Sequence, residues 1–261
     1  MRFRLRFLVL VLAWCSSAIS RLTSAPAESP RDLFLLIGQS NMAGRGVVED
    51  QDKVPHPRIF MLNAAKVWVP AVDPLHFDKP KIAGVGLGSS FARAVAAAEP
   101  NAIIGLIPAA VGGTSLDQWV PDGELYRQAV ERTKAALSQG GRLRAILWHQ
   151  GEADSQPDKA ATYAARFDRL ITQLRTDLGC PAAPVIVGEL LHARSTSAVL
   201  NPVLRNLPNS VARCTCIGAD GLTDKGDGTH FDSPSLREFG RRYARAFLAL
   251  PSAASAASTA P

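Results

Sequence analysis

Asp32–Met42 reads DLFLLIGQSNM, a short apolar run that stops at a glycine and continues into polar residues. A run of this length bounded by glycine suits a buried strand. The rest of the chain repeats the theme. Helical periodicity over Ser89–Ala98 is stopped by Pro100, and Ala102–Ile107 is a second apolar run. Leu125–Leu137 is helical again and ends near Gly140-Gly141. Ala145–Trp148 predicts a third strand, Ala160–Leu178 a long amphipathic helix ending at Gly179, and Pro184–Leu190 a fourth strand. Val211–Ile217 predicts a fifth strand, and Leu236–Leu250 a closing helix. Strand–helix alternation of this kind predicts an α/β fold, a parallel sheet covered by helices on both faces. In such sheets ligands bind beyond the carboxyl ends of the strands.

The flanks differ from this middle. Arg2, Arg4 and Arg6 precede the apolar run Phe7–Trp14, and small residues follow, so residues 1–20 read as a secretory signal peptide. The run is shorter than the ~20 apolar residues that span a bilayer, and no other segment is long and apolar enough, so no membrane span is expected in the mature chain. Residues 21–31 are rich in proline, serine and alanine and read as a linker. Residues 251–261, PSAASAASTAP, form a low-complexity tail. Between them, residues 32–250 show no repeat and no long break and read as one domain. Apolar residues make up 47% of the chain and charged residues 20%, which is ordinary globular composition. The formal charge of +6 falls to +3 once the three leader arginines are set aside, leaving 26 basic and 23 acidic residues. Those bases are interspersed with acids, and nothing supports nucleic-acid binding. In an oxidising compartment, Cys180 could bridge Cys214 or Cys216, leaving one thiol; buried or singly bridged cysteines near a strand are the plainer expectation.

Four polar or glycine-rich stretches follow strands or precede the last helix. Gly38-Gln39-Ser40 puts a hydroxyl at the end of the first strand, where the Ser40 N–H can also face a developing oxyanion. A helix cap is the alternative use of that serine. Asp227-Gly228-Thr229-His230 offers a base and an orienting carboxylate within one loop, the pair that activates a serine nucleophile; Asp-Gly is also ordinary turn chemistry. Gly112-Gly113-Thr114-Ser115 lets backbone approach a ligand closely. In Trp148-His149-Gln150-Gly151-Glu152, Gln150 can donate an N–H. Neighbouring strand residues face opposite ways, so His149 and Gln150 do not converge, and His149 reads as structural rather than as a metal ligand. Together these stretches supply a nucleophile, a base, an acid and oxyanion donors.

In LIGQSNMAGRG (Leu36–Gly46), AVGGTSLDQW (Ala110–Trp119), LWHQGEADS (Leu147–Ser155) and DGTH (Asp227–His230) the chain resembles the SGNH hydrolase superfamily. Within it, the chain is similar to the sialic acid-specific acetylesterase-like group that includes carbohydrate esterase family 6. The resemblance covers Leu33 to about Leu248. It implies a flavodoxin-like three-layer α/β/α sandwich, no cofactor and no metal. It also implies Ser40 as nucleophile with Asp227 and His230, and an oxyanion hole made by Ser40, Gly113 and Gln150. Gln150 stands in for the superfamily's third-motif asparagine, which is absent here. Asn41, Gly112 and Glu152 are candidate substrate contacts. The implied activity is secreted removal of O-acetyl groups from a polysaccharide or sugar, of acetylxylan or O-acetyl sialic acid type. A lipase or thioesterase on the same scaffold, and an inactive sugar-binding protein, are the alternatives. His56, His76 and His192 match no catalytic motif and read as structural, with His76 in a loop beside the site.

Overall fold

The computed structural model describes residues 32–251. The expected signal peptide, the linker and residues 252–261 of the tail lie outside them. Seven strands form one sheet: β1 Asp32–Gly38, β2 Ile59–Leu62, β3 Trp68–Pro70, β4 Ile104–Pro108, β5 Arg142–His149, β6 Val185–Gly188 and β7 Cys214–Ile217. Their spatial order is β3-β2-β4-β1-β5-β6-β7. The helices are α1 Ser40–Ala43, α2 Leu87–Ala98, α3 Glu124–Leu137, α4 Pro157–Asp177, α5 Ser197–Asn206 and α6 Ser233–Leu248. Among the described residues, no helix is long and apolar enough to cross a membrane.

β1 is buried along its whole length because both its faces are covered. Phe34 and Leu36 join a cluster with Phe91 and Val95 of α2 and Phe239 and Tyr243 of α6. Leu33, Leu35 and Ile37 join the opposite cluster, with Tyr126 of α3, Phe167 of α4 and Leu204 of α5. The strand's period of two thus feeds alternate side chains into two cores, which is the three-layer α/β/α sandwich. Edge-on aromatic pairs mark both layers: Phe34 with Phe91 at 4.9 Å, and Trp119 with Trp148 at 5.6 Å between ring centroids. Each such buried ring contributes about 1.5–3 kcal/mol over its exposed state.

The sequence pattern predicted a parallel sheet, and among the described residues every strand pairing but one is parallel. β3 runs antiparallel to β2 at one edge, Met61 opposite Val69. A tight turn closes that pair, Asn63 N–H donating to Val67 O at 3.0 Å. So short a connection permits only an antiparallel partner, since a parallel one needs a long crossover. Among the described residues no disulfide joins Cys180, Cys214 or Cys216. Cys214 and Cys216 pack half-buried against the α3–α5 layer, and burial pushes both thiols up to about 12.

β1 sits centrally, with β4 on one side and β5 on the other. The chain order reverses there, which opens a crevice at the carboxyl ends of these strands. Three of the four motifs leave the sheet at that point: Gly38-Gln39-Ser40 from β1, Gly112-Gly113 beyond β4, and Gln150-Gly151-Glu152 from β5. Gly38 has φ +129°, and a Cβ there would lie 2.2 Å from the His149 carbonyl oxygen. Only glycine lets β1 turn away while Gln39 N–H donates to that same oxygen at 2.9 Å.

Candidate active site

Ser40 is the first residue of α1, a single turn that follows the Gly38 bend. The base arrives from the far end of the chain. Asp227 Oδ1 accepts the backbone N–H groups of Thr229 at 3.0 Å and His230 at 2.7 Å, an Asx-type turn. Its other oxygen, Oδ2, meets His230 Nδ1 at 2.7 Å. The turn reading and the orienting-acid reading of this loop are therefore compatible, because one carboxylate serves both. Asp232 then caps α6 by accepting Ser235 N–H at 2.8 Å, which pins the loop's exit. His230 Nε2 lies 3.0 Å from Ser40 Oγ. Burial pushes the Asp227 carboxyl upward, but the N–H bonds and the ring of His230, with the Thr229 N–H, outweigh it and hold the group at about 2. It is ionised at any physiological pH, and an ionised carboxylate on Nδ1 leaves Nε2 free to take a proton.

Ser40, His230, Gly113 and Glu152 share a cleft of about 340 Å³ with Arg45, Lys79, Ile82, Arg194 and Thr229. A larger hollow of about 890 Å³ lies at the other end of the sheet, around Arg142, Arg144 and Arg213 near the strands' amino ends. That hollow is remote from the serine, and it is the smaller cleft that gathers Ser40 and His230. Among the described residues no group of His, Cys, Asp and Glu is arranged to hold a metal ion.

Gly113 has φ +81° and is exposed on the cleft wall. Neither its N–H nor that of Ser40 finds an acceptor among the described residues. Gln150 departs from expectation. It is fully buried, and Nε2 donates both to Thr114 O at 3.0 Å and to Asp154 Oδ2 at 2.6 Å. Its Oε1 accepts the Tyr163 hydroxyl at 2.9 Å, while that hydroxyl receives Trp148 Nε1 at 3.1 Å. Both amide protons are committed away from the cleft, so Gln150 is not an oxyanion donor; it ties the end of β5 to the loop that follows Gly113. Gln150→Ala is accordingly expected to lower unfolding free energy by about 1–3 kcal/mol, the cost of orphaned buried polar groups. Turnover per folded molecule should change less than tenfold. A 10²–10³-fold loss of kcat at unchanged urea midpoint would restore the donor role.

Asn41 is also corrected. It is fully buried, so it does not contact substrate. Its Nδ2 donates to Glu152 Oε1 at 2.5 Å and to Thr229 O at 3.1 Å, and its Oδ1 accepts Phe231 N–H at 3.1 Å. It therefore brackets His230 on both sides. Gly112 lines the cleft, but its N–H is taken by Asp78 Oδ2 at 2.8 Å and is unavailable to substrate. Glu152 does line the cleft, and its Oε2 has no partner among the described residues. His149 is structural, as read: Nε2 meets Glu189 O at 3.1 Å between Phe231 and Phe239. His76 is buried against a separate hollow with Asp78 and Arg132, and burial lowers its pKa to about 4.

Lys79 and Arg194 escaped the sequence reading. Neither sits in a quoted motif, and their arrival beside Ser40 is a product of the fold. Arg45 stood inside the first motif and could have been found there.

The profile of the family described as carbohydrate esterase, sialic acid-specific acetylesterase, matches residues 30–249. The chain belongs to this family. A probable carbohydrate esterase of Arabidopsis thaliana is 36% identical over 238 residues, covering 84% of this chain and 91% of that protein. The crystal structure of an Arabidopsis thaliana protein superposes with a TM-score of 0.78 at 34% identity, over 84% of this chain and 98% of that one. A probable 9-O-acetyl-N-acetylneuraminic acid deacetylase of Escherichia coli is 26% identical over 196 residues, covering 56% of this chain and 60% of that protein. As a member of the family, the protein is a carbohydrate esterase with an SGNH-type α/β/α fold, and its cleft lies where that fold reverses strand order.

Proposed function

We propose that this esterase is a secreted acetylesterase that removes O-acetyl groups from a carbohydrate through Ser40, His230 and Asp227. The observation that carries the proposal is the 3.0 Å contact between Ser40 Oγ and His230 Nε2, backed by Asp227 at 2.7 Å. His230 takes the Ser40 proton as Oγ attacks the acetyl carbonyl. The Ser40 and Gly113 N–H groups receive the oxyanion. The sugar alcohol leaves with the proton from His230, and water releases acetate by the same steps.

Cleft chemistry favours a hydrophilic leaving group over a lipid. Lys79, Glu152, Arg194 and Thr229 line it, and among the described residues Ile82 is its sole large apolar side chain. A lipase or long-chain thioesterase needs a long apolar acyl channel instead. The test is acetate release from acetylated xylo-oligosaccharides and O-acetylated sialic acids, with nitrophenyl esters of rising chain length. Acetyl esters should exceed butyryl and longer ones, and one glycan class should release acetate. A profile peaking at eight carbons or more would overturn the acetylesterase reading.

Export rests on the pattern of residues 1–20 alone. The exported protein should begin just after Ser20 or Ala25 when its amino terminus is sequenced. Finding only intact chain in the cytoplasm would remove secretion from the proposal.

A further inference from the structure

Two loops would each give one amide to the oxyanion, so their spacing must be held. A buried ion pair lies between them. Asp78 and Arg45 side chains are 1% and 3% exposed, and Arg45 Nη2 meets Asp78 Oδ2 at 2.7 Å. The same Oδ2 accepts the Gly112 N–H at 2.8 Å, next to Gly113. At the other end, Arg45 Nη1 donates to Gly44 O at 2.7 Å. Gly44 is the residue that closes α1, its N–H donating to Ser40 O at 2.9 Å. The path from nucleophile turn to glycine loop is thus Ser40, Gly44, Arg45, Asp78, Gly112, Gly113, with a hydrogen bond or a peptide at every step.

Gly112 is shaped to this bridge. A Cβ there would stand 2.2 Å from Arg45 Nη2 and 3.1 Å from Asp78 Oδ2, so the guanidinium occupies the side chain's place. Burial pushes the Asp78 carboxyl up, but Arg45 and the Gly112 N–H more than reverse this and hold it ionised. A neutral carboxyl would lose most of its hold on both donors.

We propose that Asp78, acting through Gly112 and Arg45, is a positioning residue that sets the separation of the Ser40 and Gly113 oxyanion donors. The inference rests on the catalytic reading of Ser40 above. It assigns Asp78 no contact with substrate. Its effect belongs to the charge-separated transition state rather than the ground state, so kcat should respond and KM should not.

The test is Asp78→Asn in the full chain, with sites counted by fluorophosphonate titration. The expected result is a 10- to 100-fold fall in kcat per titrated site, below the 10²–10³-fold loss of a whole donor. KM for nitrophenyl acetate should stay within about threefold of wild type. A trifluoromethyl ketone adds a second readout. Ser40 Oγ bonds to its carbonyl carbon, the hydroxyl proton passes to His230 Nε2, the π pair moves to oxygen, and the adduct carries the oxyanion beside the imidazolium. Its Ki should rise by the same factor as kcat falls, which loss of folded protein cannot produce. Should Asp78→Asn fail to fold because Arg45 is left buried and unpaired, Asp78→Asn with Arg45→Gln removes both charges and is read in the same way. Turnover within threefold of wild type, or a fall in kcat at unchanged Ki, overturns the proposal. Ser40→Ala separates the two levels. If that variant is inactive and Asp78→Asn is silent, only the bridge fails; if Ser40→Ala stays active, the catalytic reading itself fails.

Discussion

Ser40→Ala is expected to reduce kcat for acetyl esters by about 10⁴-fold or more and to abolish fluorophosphonate labelling. Among the described residues, the hydroxyl is the only nucleophilic group hydrogen-bonded to His230 Nε2, at 3.0 Å. Removing it leaves substrate binding and the amides of Ser40 and Gly113, which by themselves give only the residual rate seen when a triad loses its nucleophile. The fold should be untouched. Ser40 Oγ makes no hydrogen bond besides the one to His230 among the described residues, and alanine suits the first turn of a helix. The measurements are single-turnover kinetics on nitrophenyl acetate and the urea midpoint. Turnover near the wild-type rate would mean that another residue is the nucleophile.

Asp227→Asn should cost about 10³–10⁴-fold in kcat. Asparagine can keep the backbone bonds of the turn, because its Oδ1 still accepts from Thr229 and His230. Its amide nitrogen then faces His230 Nδ1 as a donor, which forces the proton onto Nε2 and blocks the base. Binding should persist, so KM changes little. The acid range provides a separate check. The carboxyl is held at about 2 against its ordinary 3.8. A depressed folded pKa stabilises the protein above the unfolded value, and that contribution is lost as pH falls from about 4 through 2. The variant should lack this part of the wild-type acid transition. Its size is modest, since the Asp227 side chain is 38% exposed. An asparagine variant with kcat within tenfold of wild type would assign the orienting role elsewhere.

Much of this architecture is written locally. β1, β4, β5 and β6 are short apolar runs closed by glycine, proline or polar residues, and buried parallel strands have that appearance whatever surrounds them. α3, α4 and α6 carry apolar stripes at helical spacing. The Asp227–His230 pairing is local too, since three residues of one turn bring carboxylate and ring together. Other elements left weaker marks. β3 is three residues long at the sheet edge, and α5 carries Pro202 inside it, so neither presented a clean period.

What sequence could not supply was the direction of a buried polar side chain. Gln150 and Glu152 stand two residues apart after the same strand, yet one turns into a closed network with Thr114, Asp154 and Tyr163 while the other lines the cleft. Both are polar residues beside a glycine, and local pattern assigns them equally well to substrate. The choice is made by partners 36 residues upstream and 13 downstream that only folding brings near. Asn41 turned away from the cleft for the same reason, captured by Glu152, Thr229 and Phe231. A buried amide goes where its hydrogen bonds can be satisfied, since leaving one unmade costs more than any local preference gains. Local pattern was therefore enough to read the layers of the fold and to nominate Ser40, Asp227 and His230 for the proposed triad. The tertiary structure decided which polar neighbours face the cleft and which hold it open.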